Sequence, residues 1–139
     1  MRVGFIGAGN MAGALAGAIE SAQPDTEFIA SDVSADQLER FATNLDHATS
    51  APDNRSVVDA AELTFLSVKP QVLGDVLPEL AHTPALVVSI VAGVRIATLE
   101  AALPNARVVR VMPNTPGLVG EMAAGYAGGT RATADDIAL

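Results

Sequence analysis

A glycine-rich segment near the start of the chain constrains the fold more than any other feature. Residues 7–12 read Gly-Ala-Gly-Asn-Met-Ala and match the pattern G-x-G-x-x-G/A. An apolar stretch typical of a buried strand, Arg2–Ile6, precedes them, and a run of small residues typical of a tightly packed helix, 10–21, begins within them. A strand, a glycine turn and a helix in this order predict the first unit of a layered α/β fold.

Each glycine-loop position has a physical role in binding a phosphate. Gly7 permits a tight turn out of the strand, Gly9 lets a phosphate approach the backbone, and Ala12 lets the helix pack close to the strand. The helix N-terminus adds free N–H groups and the positive end of the helix dipole. The pattern therefore predicts the pyrophosphate of a dinucleotide at this loop. A glycine-rich turn without a ligand is the alternative.

Short apolar runs alternate with helix-like segments along the rest of the chain, which indicates repeated βαβ units. The later predicted strands are residues 27–31, 63–68, 85–91 and 107–112. The later predicted helices are residues 36–44 with Ser34 as N-cap, a short segment starting at Val57, residues 72–80 and residues 96–103. We predict one Rossmann-like, doubly wound α/β domain over residues 1–139, with a mainly parallel sheet and helices on both faces.

The composition excludes several classes of function. The chain carries 16 acidic and 8 basic side chains, a formal net charge of −8 and no cysteine. An acidic chain without a basic stripe argues against nucleic-acid and anionic-membrane partners, and the lack of cysteine excludes thiol catalysis and disulfides. The most apolar later run, residues 85–94, is shorter than the roughly 20 residues of a membrane span. We therefore expect a soluble protein, compatible with the cytoplasm.

A carboxylate follows the second predicted strand. Asp32 stands at the spacing beyond the glycine loop at which an acid hydrogen-bonds the adenosine ribose in NAD-type sites. A 2′-phosphate there would meet a like charge, and the neighbours Ser31, Val33 and Ser34 supply no cation. The sequence therefore favours NADH over NADPH. The alternative is that Asp32 only caps the helix that follows.

Later segments of the chain are specific enough to indicate a family. Residues 65–71 (Phe-Leu-Ser-Val-Lys-Pro-Gln), 87–94 (Val-Val-Ser-Ile-Val-Ala-Gly-Val) and 110–116 (Arg-Val-Met-Pro-Asn-Thr-Pro) follow one another in this order. Together with Phe-Ile-Gly-Ala-Gly-Asn-Met at residues 5–11, they closely resemble pyrroline-5-carboxylate reductase, the last enzyme of proline synthesis. The resemblance covers nearly the whole chain, and residues 110–116 are its most diagnostic part.

The resemblance implies an NAD(P)H-dependent oxidoreductase that transfers hydride to the C=N bond of 1-pyrroline-5-carboxylate and gives L-proline. It also implies which residues bind the cofactor. Those in the glycine loop are Ile6, Gly7, Ala8, Gly9, Asn10 and Met11, and those beyond it are Asp32, Asn54, Val68, Lys69, Pro70 and Ala92.

The expected positions at strand ends support several of these assignments. Ligands of open parallel sheets bind beyond the carboxyl ends of the strands. Residues 68–70 close the third predicted strand, and Ala92 follows the fourth, where a small side chain would let the nicotinamide lie against the backbone. Lys69 is the only lysine, and we favour a functional role over a surface position. Asn114 follows the fifth predicted strand, and either orienting cofactor or substrate or satisfying a turn would explain it.

Two departures from the family limit what the resemblance implies. Some members place a hydroxyl where Asp32 stands, so the carboxylate of this chain argues against the use of NADPH. The family's C-terminal helical domain, which builds the dimer and holds the substrate, has no counterpart here. The capping pattern at residues 133–136 predicts a helix that begins just before Leu139, so we expect the parent polypeptide to continue. We therefore expect this part alone to be inactive and the parent to be a homo-oligomer through that domain, and we assign no proton donor.

Other functions also stay open at this point. Another NAD(P)-dependent dehydrogenase, of the β-hydroxyacid or deazaflavin-linked type, would share the same first domain, although residues 110–116 argue against both. A non-catalytic nucleotide-binding module is the third alternative. No metal site is predicted, because His47 and His82 are isolated and Asp135 and Asp136 fit a solvated first helical turn.

Overall fold

The computed structural model describes residues 1–113 and 124–138, so Asn114 lies outside the described residues. The strands are β1 (Arg2–Ile6), β2 (Glu27–Ser31), β3 (Ala48–Ser50), β4 (Leu63–Leu66), β5 (Leu86–Ser89), β6 (Arg107–Pro113) and β7 (Ala124–Gly128). The helices are α1 (Asn10–Ala22), α2 (Ala35–Thr43), α3 (Asn54–Ala60), α4 (Leu73–Glu79), α5 (Ile96–Ala102) and α6 (Ala134–Ala138), with a 3₁₀ turn at Pro70–Val72. Among these described helices, none has the length and hydrophobicity that a membrane crossing requires.

The seven described strands form one sheet in the order β3-β2-β1-β4-β5-β6-β7. Neighbouring strands from β3 to β6 pair in parallel, and β7 pairs with β6 in the antiparallel direction. The chain first builds outward from β1 through β2 to β3, then returns to the other side of β1 with β4. This reversal creates a crevice at the carboxyl ends of β1 and β4, where ligands of such sheets bind. The predicted Rossmann-like fold is confirmed.

Alternate residues of the five inner strands, β1, β2, β4, β5 and β6, enter two separate cores. Val3 and Phe5 of β1 pack on the side of α1 and α2, whereas Ile6 packs on the side of α3, α4 and α5. Phe5 stacks on Phe65 of the neighbouring strand with ring centroids 5.0 Å apart. The period of two follows from the strand geometry, which points successive side chains to opposite faces. Helices therefore cover both faces of the sheet, as predicted.

Two strands were not predicted from the sequence. Ala48–Ser50 is only three residues long, and Thr49 and Ser50 are exposed. Ala124–Gly128 consists of exposed small residues and Tyr126. Both strands lie at an edge of the sheet, where backbone hydrogen bonds to a single neighbour hold them. Without a buried face they carry no apolar pattern for the sequence to reveal.

The N-terminal turn of α6 corrects one prediction. The Asp136 side chain is only 7% exposed, so the prediction of a solvated carboxylate at this position was wrong. Arg107 of β6 donates from Nε to its two carboxylate oxygens at 3.1 and 3.0 Å. Thr133 donates to Asp136 Oδ2 from its N–H at 2.9 Å and its hydroxyl at 2.8 Å, and its Oγ1 accepts from the Asp136 N–H at 3.1 Å. The ion pair thus anchors α6 to the sheet.

This anchor makes stability depend on pH in a defined direction. Burial opposes ionisation of Asp136, but hydrogen bonds from Thr133 and Arg107 outweigh it, so the pKa of the carboxyl lies below its usual value. Its stabilising contribution is therefore complete above the unfolded pKa of about 4 and is lost as the pH falls through the folded pKa. We expect the free energy of unfolding to fall less steeply below about pH 4 in Asp136→Asn than in the wild type.

Urea unfolding at a series of pH values measures this dependence. Asp135→Asn is the matched control, because it makes the same charge change at the exposed neighbouring position. Equal acid sensitivity of the two variants would contradict the role assigned to the Asp136 carboxylate.

An apolar groove of about 440 Å³ lies on the α1 face of the sheet. Leu15 of α1, Val88 of β5, Val109 of β6, Tyr126 and Ile137 contribute to its lining. Tyr126 is 65% exposed and Ile137 is 39% exposed. The long helix α1 and helix α2 cover the β1 and β2 half of this face. The β5 and β6 half lies next to α6, whose described part has only five residues. Within residues 1–113 and 124–138, the β5 and β6 half of this face is therefore less completely covered.

Candidate dinucleotide-binding site

The chain turns sharply at Gly7, directly after β1. Gly7 has a φ of +93°, in the left-handed region that favours glycine. A Cβ atom there would lie 2.8 Å from the carbonyl oxygen of Ser67 and 3.1 Å from the backbone nitrogen of Val68. The Gly7 N–H also donates to the Ser31 carbonyl at 2.8 Å. Both the backbone conformation and the close approach to β4 therefore require glycine, as predicted for this tight turn.

Ser67 links the ends of β1 and β4 by hydrogen bonds, at the point where the glycine loop leaves the sheet. Its backbone N–H donates to the carbonyl of Ile6 at 2.9 Å. Its hydroxyl lies 3.0 Å from the same carbonyl oxygen and 2.6 Å from that of Gly7. Because one hydroxyl has one proton, the two carbonyls share it. This polar end of an apolar strand was not identified as a site residue from the sequence.

Helix α1 begins at Asn10 with its N-terminus open to a ligand. Gly9 is the N-cap, with extended backbone, and no side chain caps the helix within the described residues. The first-turn N–H groups therefore remain available to a phosphate, at the positive end of a 13-residue helix. Ala12 is 1% exposed, which confirms its predicted close packing. The Met11 side chain is partly buried and packs against the core.

Asp32 links the end of β2 to the glycine loop. Its Oδ2 accepts from the Ala8 N–H at 2.8 Å, and its Oδ1 accepts from the Ser34 N–H at 2.8 Å. Ser34 itself caps α2, because its hydroxyl accepts from the Gln37 N–H at 3.4 Å. Asp32 is therefore more than a helix cap. Each carboxylate oxygen retains a second lone pair for a further donor.

Asn54 lies beside the same strand end. Helix α3 begins at this residue because Asp53 caps it, accepting from the Ser56 N–H at 2.7 Å. That hydrogen bond also holds the pKa of the Asp53 carboxyl below its usual value. The Asn54 amide accepts at Oδ1 from the Ser31 hydroxyl at 2.7 Å and donates from Nδ2 to Glu79 at 2.8 Å. Neither Ser31 nor Glu79 was identified as a site residue from the sequence.

The segments after β4 and β5 leave the same edge of the sheet. The two strands pair in register with Leu66 opposite Ser89, so the residues that follow them lie on neighbouring strand ends. Val68 is partly buried against the core, whereas Lys69, Pro70 and Ala92 are exposed. Pro70 opens the 3₁₀ turn, and Gly93 turns the chain with a φ of +73°. The structure thus brings the described candidates, which come from the ends of β1 to β5, to one edge.

The site contains no group of metal ligands within residues 1–113 and 124–138, where no cluster of three or more His, Cys, Asp or Glu side chains occurs. His47 and His82 are both exposed, as predicted. Two arginines on the helices that follow β2 and β3 have local hydrogen-bond partners. Arg55 pairs with Asp59 at 3.2 Å, and Arg40 donates to the carbonyl of its own helix at 3.3 Å.

A parallel sheet of this order, a glycine turn after β1, an uncapped helix and an acid after β2 define a dinucleotide-binding domain. Comparison with known families agrees: a family model described as NADP oxidoreductase, coenzyme F420-dependent, matches residues 2–93. The chain belongs to this oxidoreductase family. The matched region contains the glycine loop and the acid but ends before residues 110–116, the most diagnostic segment of the sequence.

The resemblance to pyrroline-5-carboxylate reductases extends further. The enzyme of that name from Methanosarcina acetivorans is 42% identical over 142 residues, which cover 98% of this chain and 52% of the relative. A solved reductase structure from Coxiella burnetii superposes with a TM-score of 0.90 at 31% identity, covering 99% of this chain and 53% of that one. The Plasmodium falciparum reductase, solved with NADP bound, gives 0.85 at 28% identity, covering 99% and 52%.

These comparisons confirm the resemblance predicted from the sequence motifs. They also show that the chain spans about half the length of the curated relatives it matches.

Proposed function

We propose that this chain is the cofactor-binding part of a pyrroline-5-carboxylate reductase, which reduces 1-pyrroline-5-carboxylate to L-proline with NAD(P)H. The observation that carries the proposal is the hydrogen bond from the Ala8 N–H to Asp32. This bond joins the glycine loop to the carboxylate that would bind the adenosine ribose. Relatives bearing the reductase name, about 40% identical over most of the chain, support the reaction.

The described residues fit a dinucleotide from one end to the other. We place the pyrophosphate at the open N-terminus of α1, between Gly7 and Met11, where N–H groups and the helix dipole would neutralise it. The adenosine ribose would lie at Asp32 and Asn54. The nicotinamide would lie toward Lys69 and Ala92, at the ends of β4 and β5. When bound, the reduced nicotinamide supplies the hydride for the C=N bond.

In this arrangement the protein's own groups bind and orient the cofactor rather than react with it. The loop conformation is fixed before binding, because the Gly7 carbonyl, the Gly7 N–H and the Ala8 N–H already have partners. A preformed loop avoids the entropic cost of ordering on binding. We keep Asn114 as a proposed cofactor contact on the grounds of its sequence position alone.

We propose that the cofactor is preferentially NADH. Asp32 and Glu79 place two carboxylates around the strand end, and a 2′-phosphate there would be repelled. The arginines nearby, Arg40 and Arg55, have local partners. The NADP bound to the Plasmodium falciparum relative makes this preference a property to be tested in this chain rather than a family rule.

Isothermal titration calorimetry with NADH and NADPH tests the proposed function. We expect NADH to bind with a Kd of about micromolar order and NADPH to bind at least about tenfold more weakly. We expect no turnover of 1-pyrroline-5-carboxylate by the 139-residue chain. Failure to bind either dinucleotide would refute the proposal, and equal affinities would refute only the preference for NADH.

We further propose that the substrate pocket and the oligomer contacts belong to a second domain in a cytoplasmic parent enzyme. The half-length coverage of the relatives and the incompletely covered groove beside α6 support this arrangement.

A deazaflavin-linked NADP oxidoreductase is the second candidate, because the matching family model carries the F420 description. The similarity of the reductases to almost the entire chain favours the first candidate. Assays of the parent enzyme with 1-pyrroline-5-carboxylate and with coenzyme F420 distinguish the two.

A further inference from the structure

We infer that Glu79 is a positioning residue of the dinucleotide site, which sets the orientation of the Asn54 amide toward the adenosine ribose. The inference rests on the proposed function, because it places a ribose at the end of β2. Glu79 is the last residue of α4 and comes from a different βαβ unit than Asp32.

A chain of two hydrogen bonds fixes the Asn54 amide. The Ser31 hydroxyl lies 2.7 Å from Asn54 Oδ1, and Asn54 Nδ2 lies 2.8 Å from Glu79 Oε2. A serine hydroxyl can donate or accept, so Ser31 alone would satisfy either orientation of the amide. An ionised carboxylate can only accept. Glu79 therefore selects the orientation that points Nδ2 toward α4 and Oδ1 toward Ser31.

The selected orientation of the Asn54 amide provides a hydrogen-bond donor at the strand end where the Asp32 carboxylate provides an acceptor. Ser31 is 4% exposed and directly precedes Asp32, so its hydroxyl holds the Asn54 amide at the end of the strand that Asp32 follows. Nδ2 carries two protons, and the contact with Glu79 uses one of them. The other can be donated to a hydroxyl oxygen, while Asp32 accepts a hydroxyl proton. A donor and an acceptor at one strand end suit the vicinal hydroxyls of a ribose, each of which can donate and accept.

Calorimetric NADH binding to five variants of Glu79 and Asn54 tests this role. We expect Glu79→Ala to raise the Kd about threefold, the scale of losing one oriented hydrogen bond. Glu79→Gln keeps a carbonyl acceptor but adds an amide donor, so it no longer selects one orientation, and it is expected to raise the Kd by less than Glu79→Ala. Glu79→Asp retains the charge but withdraws it by one methylene, and it is expected to behave like Glu79→Ala. In an Asn54→Ala background, Glu79→Ala is expected to cause no further loss.

The control variant is Glu39→Ala, which removes an exposed helical glutamate on α2. Melting temperatures of all variants are measured in parallel, and the cycle with Asn54→Ala isolates the coupling even if one of them is less stable. Additive effects of Glu79→Ala and Asn54→Ala, or wild-type affinity in Glu79→Ala, would overturn the inference. The proposed function would stand in both cases, because it fails only if the wild type binds no dinucleotide.

Discussion

Replacing Gly7 by alanine is expected to lower the free energy of unfolding by about 2–4 kcal/mol and to weaken dinucleotide binding more than about tenfold. The φ of +93° is strained for any residue with a Cβ. The added methyl would also lie 2.8 Å from the Ser67 carbonyl oxygen, a backbone atom that cannot move without disturbing β4. Relief of either strain would shift the Ala8 N–H and the start of α1, where we place the pyrophosphate.

Urea unfolding and NADH calorimetry on the same preparation separate the two effects. Gly17→Ala is the matched control, because Gly17 lies inside α1 and a Cβ atom added there would meet nothing within 4 Å. The control is expected to raise the free energy of unfolding by about 0.5–1 kcal/mol, since alanine loses less conformational entropy in a helix. If Gly7→Ala were as stable as Gly17→Ala and bound NADH normally, the role given to this turn would be wrong.

Replacing Asp32 by asparagine is expected to weaken NADH binding about tenfold and to affect NADPH much less. The change is isosteric, but an amide offers one acceptor oxygen where the carboxylate offers two. The N–H groups of Ala8 and Ser34, each 2.8 Å from a carboxylate oxygen, cannot both be satisfied. The ribose hydroxyls lose a charged acceptor, whereas the loss of repulsion offsets part of the cost for a 2′-phosphate.

Asp25→Asn is the control for this second prediction, because it makes the same charge change in the exposed turn before β2. We expect it to leave both affinities unchanged. Calorimetric titrations with both dinucleotides give the ratio of the two Kd values for each variant. A ratio in Asp32→Asn equal to that of Asp25→Asn would show that Asp32 does not determine cofactor choice.

The parts of the fold that the sequence predicted share a local signal. Five strands, including Arg2–Ile6 and Glu27–Ser31, appear as apolar runs because both of their faces are buried. The glycine loop is identified by residues that are adjacent in the chain, and Ser34 was identified as an N-cap on equally local grounds. Edge strands such as Ala48–Ser50 carried no such signal, since backbone pairing rather than side-chain burial holds them.

The candidate site likewise contains residues with a local sequence signal and residues without one. The described cofactor candidates lie at one sheet edge, as the topology of parallel strands requires. Ser67 and Ser31 could have been found as polar residues that end apolar strands. Glu79 had no signal in the sequence, because it contacts Asn54 only after α3 and α4 pack side by side. The pairing of Asp136 with Arg107 was missed for the same reason.

The sequence by itself determined the class of fold, the phosphate loop with its Gly7 turn, the acid after β2 and the resemblance to a reductase. Each depends on residues close together in the chain, or on motifs that keep their order. Only the tertiary structure decided what these groups contact. Asp32 accepts a hydrogen bond from the Ala8 N–H, and Glu79 accepts one from the Asn54 amide although it belongs to another βαβ unit. Such contacts depend on how helices pack on the sheet, which hydrophobic periodicity does not specify side chain by side chain.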